Sequence, residues 1–233
     1  MPRHVALVPA AGTGSRVGAE VPKQYLPLAG HPVLWHTLHA LIGVHRIEHV
    51  WVVLSESDAW FDCQDWARFE GKFSALRCGG PSRAASVLAG LRAIRDVVDG
   101  RDWVLVHDAA RPCVASATID RLIDEVGEDD AGGILAVPVS DTLKRSDGSR
   151  RIAATVPRVG LWAAQTPQMF RHGMLLEALA QAPLDEITDE ASAVELRGLR
   201  PRLVMGSTDN IKVTVPQDLA IALRVLRGSI DQH

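Results

Sequence analysis

Short apolar runs recur along this chain at residues 4–8, 49–54, 103–107, 133–137 and 203–206. Runs of this length, bounded by small or polar residues, predict buried strands. Between several of them the apolar positions repeat at helical spacing. Val33, Leu34, Thr37, Leu38 and Leu41 form one stripe, and Pro32 suits a first helical position before it. From Ser82 onward, Val87, Leu88, Leu91 and Ile94 form a second stripe. Leu219, Leu223 and Leu226 form a third, opened by Pro216 and closed by Arg227 and Gly228. Strands alternating with helices predict an α/β fold, a doubly wound, mainly parallel sheet with ligands at the carboxyl ends of its strands.

One segment breaks the alternation. Residues 136–144 and 152–157 are extended and joined by a polar turn in which Asp147-Gly148 is a hairpin signal. A two-stranded arm is marginal alone in water, and Val139, Leu143, Ile152 and Val156 need cover. A partner subunit is the expected cover, which makes the chain a homodimer. With no linker, repeat or low-complexity tract, residues 1–233 read as a single domain with a β-arm at about 138–158.

The first strand runs into Pro9-Ala10-Ala11-Gly12-Thr13-Gly14-Ser15-Arg16, and Pro22-Lys23-Gln24-Tyr25 follows. Residues this small let backbone N–H groups approach a polyphosphate while the arginine and the lysine neutralise it. A Walker A loop is excluded, because no Lys-Ser or Lys-Thr follows Gly14. The dinucleotide fingerprint fails too: Val17 stands where its third glycine belongs, and the next strand comes too late for its acidic residue. A nicotinamide-dependent oxidoreductase is therefore set aside.

Composition narrows the partners. The chain has 233 residues, 47% of them hydrophobic, and a formal net charge of −3. That balance gives no electrostatic case for nucleic acid or for an anionic membrane, so a phosphate ligand must meet a local cluster of cations. No apolar run approaches a bilayer span, and the first residues lack a signal-peptide core, so a cytoplasmic protein is expected. Cys63, Cys78 and Cys113 are odd in number and widely spaced, which argues against a disulfide framework or a zinc site. The histidines at 31, 36, 39, 45 and 49 lack a carboxylate or cysteine at ligand spacing.

Three further clusters fall where strands end. Gly79-Gly80-Pro81-Ser82-Arg83-Ala84-Ala85-Ser86 is a second small-residue loop entering a helix. Val106-His107-Asp108-Ala109-Ala110-Arg111-Pro112 sets an aspartate and an arginine three residues apart, and Thr208-Asp209-Asn210-Ile211-Lys212 adds an aspartate and a lysine. Acids able to hold a divalent metal, with cations around phosphates, are the equipment of phosphoryl or nucleotidyl transfer. Asp108 and Asp209 are the metal candidates.

These motifs resemble the 2-C-methyl-D-erythritol 4-phosphate cytidylyltransferase family of the non-mevalonate isoprenoid pathway. The likeness continues through Pro138-Val139, Asp141-Thr142, Arg158, Thr166-Pro167-Gln168 and Thr188-Asp189-Glu190, and so covers nearly the whole chain in order. Pro81 and Ser82 depart from the pattern, which commonly has acidic residues there. The resemblance implies that a sugar-alcohol phosphate attacks CTP with Mg²⁺ or another divalent cation, giving a CDP-sugar alcohol and pyrophosphate. It implies catalytic roles for Arg16, Lys23, Arg158 and Lys212. It further implies CTP contacts from Ala10, Ala11, Gly12, Thr13, Gly14, Arg16, Lys23, Gly80, Arg83, Ser86, Asp108 and Ala109. Acceptor contacts would come from Arg111, Thr142, Arg158, Thr166, Thr188 and Lys212. The alternatives are a ribitol 5-phosphate cytidylyltransferase and, in a different class, a regulator that binds CTP without turnover.

Overall fold

The structure, a computed structural model, describes residues 2–12 and 21–230. The expected phosphate contacts at Thr13, Gly14 and Arg16 lie outside the described residues. In chain order the first elements are β1 (His4–Pro9), β2 (Pro27–Leu28), β3 (His31–Pro32), α1 (Val33–Ile42), β4 (His49–Val53) and β5 (Phe73–Leu76). Then come α2 (Arg83–Ile94), β6 (Trp103–Val106), α3 (Ser116–Val126), β7 (Gly133–Pro138), β8 (Leu143–Ser146) and β9 (Ile152–Val156). The last are β10 (Trp162–Arg171), α4 (His172–Gln181), α5 (Glu190–Glu195), β11 (Arg202–Met205) and α6 (Pro216–Ile230).

A seven-stranded sheet runs in the order β11-β7-β10-β6-β1-β4-β5. Strands β5, β4, β1 and β6 pair in parallel, as do β7 and β11, while β10 lies antiparallel between β6 and β7. Alternation along β1 divides the core. Ala6 and Val8 pack with Leu34, Leu38 and Leu41 of α1 and Leu122 of α3, whereas Val5 and Leu7 pack with Leu91 and Ile94 of α2 and Leu175 of α4. Both faces are thus covered, which is why these parallel strands read as continuous apolar runs. From β1 the chain adds β4 and β5 on one side and β6 on the other, so the order reverses between β1 and β6 and leaves a crevice at their carboxyl ends.

The structure amends three expectations. Helix α1 starts at Val33, with Pro32 as its cap. Helix α6 runs through Gly228 to Ile230. The arm is narrower than expected, because β7 holds Ala136 to Pro138 in the main sheet and only β8 and β9 form the separate two-stranded ribbon. Its turn is organised by Asp147, whose carboxylate accepts from the backbone of Ser149 and Arg151. Arg150, not Gly148, takes the positive φ there.

Candidate active site

Strand β6 is buried along its whole length and delivers His107 and Asp108 into the crevice. The His107 N–H still pairs with Leu7 O of β1 at 2.9 Å, and the Asp108 N–H turns to the Thr166 hydroxyl of β10 at 3.0 Å. His107 is fully buried, with Nε2 3.0 Å from Arg111 O and Nδ1 3.0 Å from Thr166 Oγ1. A carbonyl only accepts, so Nε2 carries the hydrogen and Nδ1 accepts from the threonine.

Three cations converge on Asp108. Arg83 Nε lies 2.8 Å from Oδ1, and Lys212 Nζ and Arg111 Nε lie 2.9 and 3.4 Å from Oδ2. Burial by itself would raise the Asp108 pKa, but Arg83, Lys212 and Arg111 hold it well below the usual carboxylate range. The rest of the Arg83 fork grips Glu190, which is 1% exposed, through contacts of 2.6 and 3.0 Å. Arg111 also donates to Asn210 O at 2.7 Å, and the Asn210 amide donates to Thr166 O at 2.8 Å. Around this cluster opens a pocket of about 260 Å³, lined by Arg83, Asp108, Arg111, Thr166, Thr188 and Lys212 among others.

The two small-residue loops touch beside it. A Cβ on Gly79 would come within 2.2 Å of Ala11 Cβ, so glycine is what lets them approach. Ser86, one of the expected CTP contacts, is buried; its hydroxyl accepts from Gly80 N at 3.1 Å and donates to Ser82 O at 2.9 Å. It shapes the Gly80 loop. Ala109 is buried, and its carbonyl accepts from Thr37 at 2.9 Å.

Not every expected residue arrives. Thr142 and Arg158 lie exposed beside the arm and outside the pocket lining, and Arg158 donates to Ser140 O. Asp209 is exposed and likewise outside the lining. The metal expectation does not fit this donor set, since both Asp108 oxygens are spent on cations that would repel a divalent ion. Among the described residues no group of three or more His, Cys, Asp or Glu side chains is arranged to hold a metal.

Among the contributors with no expected role are Glu190, His107, Asn210 and Gln24. Their motifs mark them, but their partners lie far away in sequence. Gln24, buried beside Lys23, donates to Ala10 O at 2.8 Å and Gly12 O at 3.0 Å.

Comparison with known proteins decides what this arrangement belongs to. The family model for 2-C-methyl-D-erythritol 4-phosphate cytidylyltransferase (IspD) matches residues 4–228. The chain belongs to that family. It is therefore a nucleotidyltransferase of isoprenoid biosynthesis. Among the curated family members, that of Dechloromonas aromatica (strain RCB) is 57% identical over 228 residues, covering 98% of this chain and 99% of its own. That of Azoarcus sp. (strain BH72) is 59% identical over 227 residues, covering 97% and 95%. A crystal structure of 4-diphosphocytidyl-2C-methyl-D-erythritol synthase superposes with TM-score 0.86 at 40% identity, covering 97% of this chain and 99% of that one. The crystal structure of the Thermus thermophilus family member gives a TM-score of 0.78 at 32% identity, covering 97% and 100%. The fold of this cytidylyltransferase is thus the family's, including the α/β sheet anticipated from its pattern.

Proposed function

We propose that this chain joins 2-C-methyl-D-erythritol 4-phosphate to CTP, giving 4-diphosphocytidyl-2-C-methyl-D-erythritol and pyrophosphate. A phosphate oxygen of the acceptor bonds to the α-phosphorus as the bond to the β-phosphate oxygen breaks. The monoester is largely dianionic at neutral pH, its second pKa being about 6, so no general base is needed. That suits a site whose buried histidine is committed to Thr166 and Arg111.

The obstacle is repulsion between anions, and the observation carrying the proposal is the convergence of Arg83, Arg111 and Lys212 on one pocket. Two unit charges 4 Å apart interact by about 4 kcal/mol at an effective dielectric near 20. Lys212 and Arg111 hold the acceptor phosphate, Thr166 and Thr188 face its sugar alcohol, and Lys23 with Arg16 neutralises the triphosphate. Arg83 acts one step back, aiming Asp108. A divalent cation, Mg²⁺ or another, would arrive with the triphosphate and would add to the neutralisation of its charge. Thr142 and Arg158 serve the site of a second subunit. Among the described residues no helix is long and apolar enough to cross a membrane, and we place the enzyme in the cytoplasm.

The test is pyrophosphate release from CTP with 2-C-methyl-D-erythritol 4-phosphate or ribitol 5-phosphate, with and without Mg²⁺. Metal-dependent turnover strongly favouring the erythritol acceptor is expected. Faster turnover of ribitol 5-phosphate, or CTP binding without turnover, overturns the assignment.

A further inference from the structure

We infer that Gln24 is a positioning residue for the nucleotide half of the site: its amide aims the first peptide of the small-residue loop at the ligand and locks that peptide to the turn carrying Lys23. This rests on reading the loop as the seat of CTP.

Both hydrogens of the Gln24 amide are used, on Ala10 O at 2.8 Å and Gly12 O at 3.0 Å. The residue is 3% exposed, so water does not compete for them. A peptide unit is planar and trans, and its C=O and N–H point in opposite directions. Drawing Ala10 O toward Gln24 therefore turns the Ala11 N–H outward. Ala10 N still pairs with Val53 O at 2.8 Å, but neither Ala11 N nor Gly12 N has a partner among the described residues. Donors presented in this way are what an anion or a base acceptor needs.

The turn behind them is anchored independently. Lys23–Tyr25 is a single 3-10 turn, closed by Tyr25 N to Pro22 O at 2.8 Å. The Tyr25 hydroxyl donates to Asp58 at 2.7 Å, and its ring stacks on Trp60. On the other side Ala11 abuts Gly79. The loop is thus held between Gln24 and Gly79, which ties the outward Ala11 N–H to the turn that carries the lysine. Only a donor at position 24 can do this, because both groups that it meets are carbonyl oxygens.

Two near-isosteric variants test it. Gln24→Met keeps the length and removes both donors; Gln24→Glu sets acceptors against acceptors. CTP binding is measured by calorimetry, KM for each substrate by varying it at saturating partner, and folding by thermal melting. Gln24→Met should weaken CTP about tenfold, leave the KM of the acceptor within about twofold and keep the melting temperature within a few degrees. Gln24→Glu should bind CTP more weakly still at pH 8 and recover, relative to wild type, by about pH 5.5, where a protonated carboxyl again offers a donor. Equal CTP affinity of Gln24→Met and wild type overturns the inference while leaving the function intact. So does parallel loss of both substrates with a lowered melting temperature, which would make Gln24 a packing residue. A wild-type enzyme that binds no CTP overturns the reading of the loop, and the inference with it.

Discussion

His107 and Asp108 sit side by side, both buried, and both titrate below their ordinary ranges for different reasons. Burial disfavours the imidazolium and pushes His107 down to about 4. For Asp108 burial acts the other way, and the neighbouring cations override it. Each group binds its proton more weakly in the folded chain, so the unfolded chain takes up protons first as the pH falls, and stability is lost. For His107 the loss runs from about pH 6.5 to about 4 and totals about 3 kcal/mol. The part due to Asp108 begins below the free carboxylate value near pH 4 and continues downward. We expect the urea midpoint to fall across that first window and the His107 ring signals in NMR to stay put above pH 5. A ring titrating near 6.5 would contradict the buried neutral histidine. At this scale the sequence showed the aspartate and the cations, because they stand in short motifs after strands. It did not show Glu190. An acid after Thr188-Asp189 reads as a helix start, and nothing local announces that it will meet an arginine 107 positions away.

Helix α2 carries the site's most committed arginine at its first position, so its start must be firmly set. Ser82 sets it, its hydroxyl accepting from Ala85 N at 3.1 Å and its carbonyl accepting from Ser86. Its side chain is therefore occupied as a cap, which accounts for one of the two positions where this chain lacks the family's acidic residue. Ser82→Ala should cost about 1 kcal/mol in urea unfolding, and Ser82→Asp, which keeps a capping oxygen, should cost much less. Equal losses would mean that the cap is not what holds the turn. Patterning missed β5, α3, α4, α5 and, in the middle of the sheet, β10. Pro167 and two glutamines interrupt its apolar character, and a proline ordinarily argues against a central strand. The glutamines have their own partners: Gln165 donates to Ser207 O at 2.8 Å and Gln168 to Asp189 at 2.8 Å. Their polarity belongs to the site and not to a surface, which periodicity cannot distinguish.

The crevice between β1 and β6 follows from the order of the whole sheet; the alternation of strands and helices made the mainly parallel sheet readable, but not that order. The arm belongs to this scale as well. Among the described residues strands β8 and β9 pair only with each other, and Ile152 is 69% exposed. In the proposed dimer each arm covers the other subunit and brings Thr142 and Arg158 to its pocket. Mixing Arg158→Ala with Lys23→Ala protein under subunit exchange should restore activity well above either variant alone, because one site of each mixed dimer then carries neither lesion. Persistent inactivity despite proven exchange, or a fully active monomer, would sink the shared site. The antiparallel β10, wedged between strands made earlier, also fixes when function can emerge. Arg83 reaches 25 residues along the chain to Asp108, Asp108 reaches 58 to Thr166, and Arg83 reaches 107 to Glu190. A ribosome releases the amino-terminal half of the sheet long before these contacts exist, and sequence-distant contacts of this kind form slowly. A nascent or truncated chain can hold Asp108 and still lack the pocket walls that Thr166 and Thr188 supply. Acceptor binding stabilises only the form that it recognises, so it should protect finished chains from proteolysis and leave unfinished ones exposed.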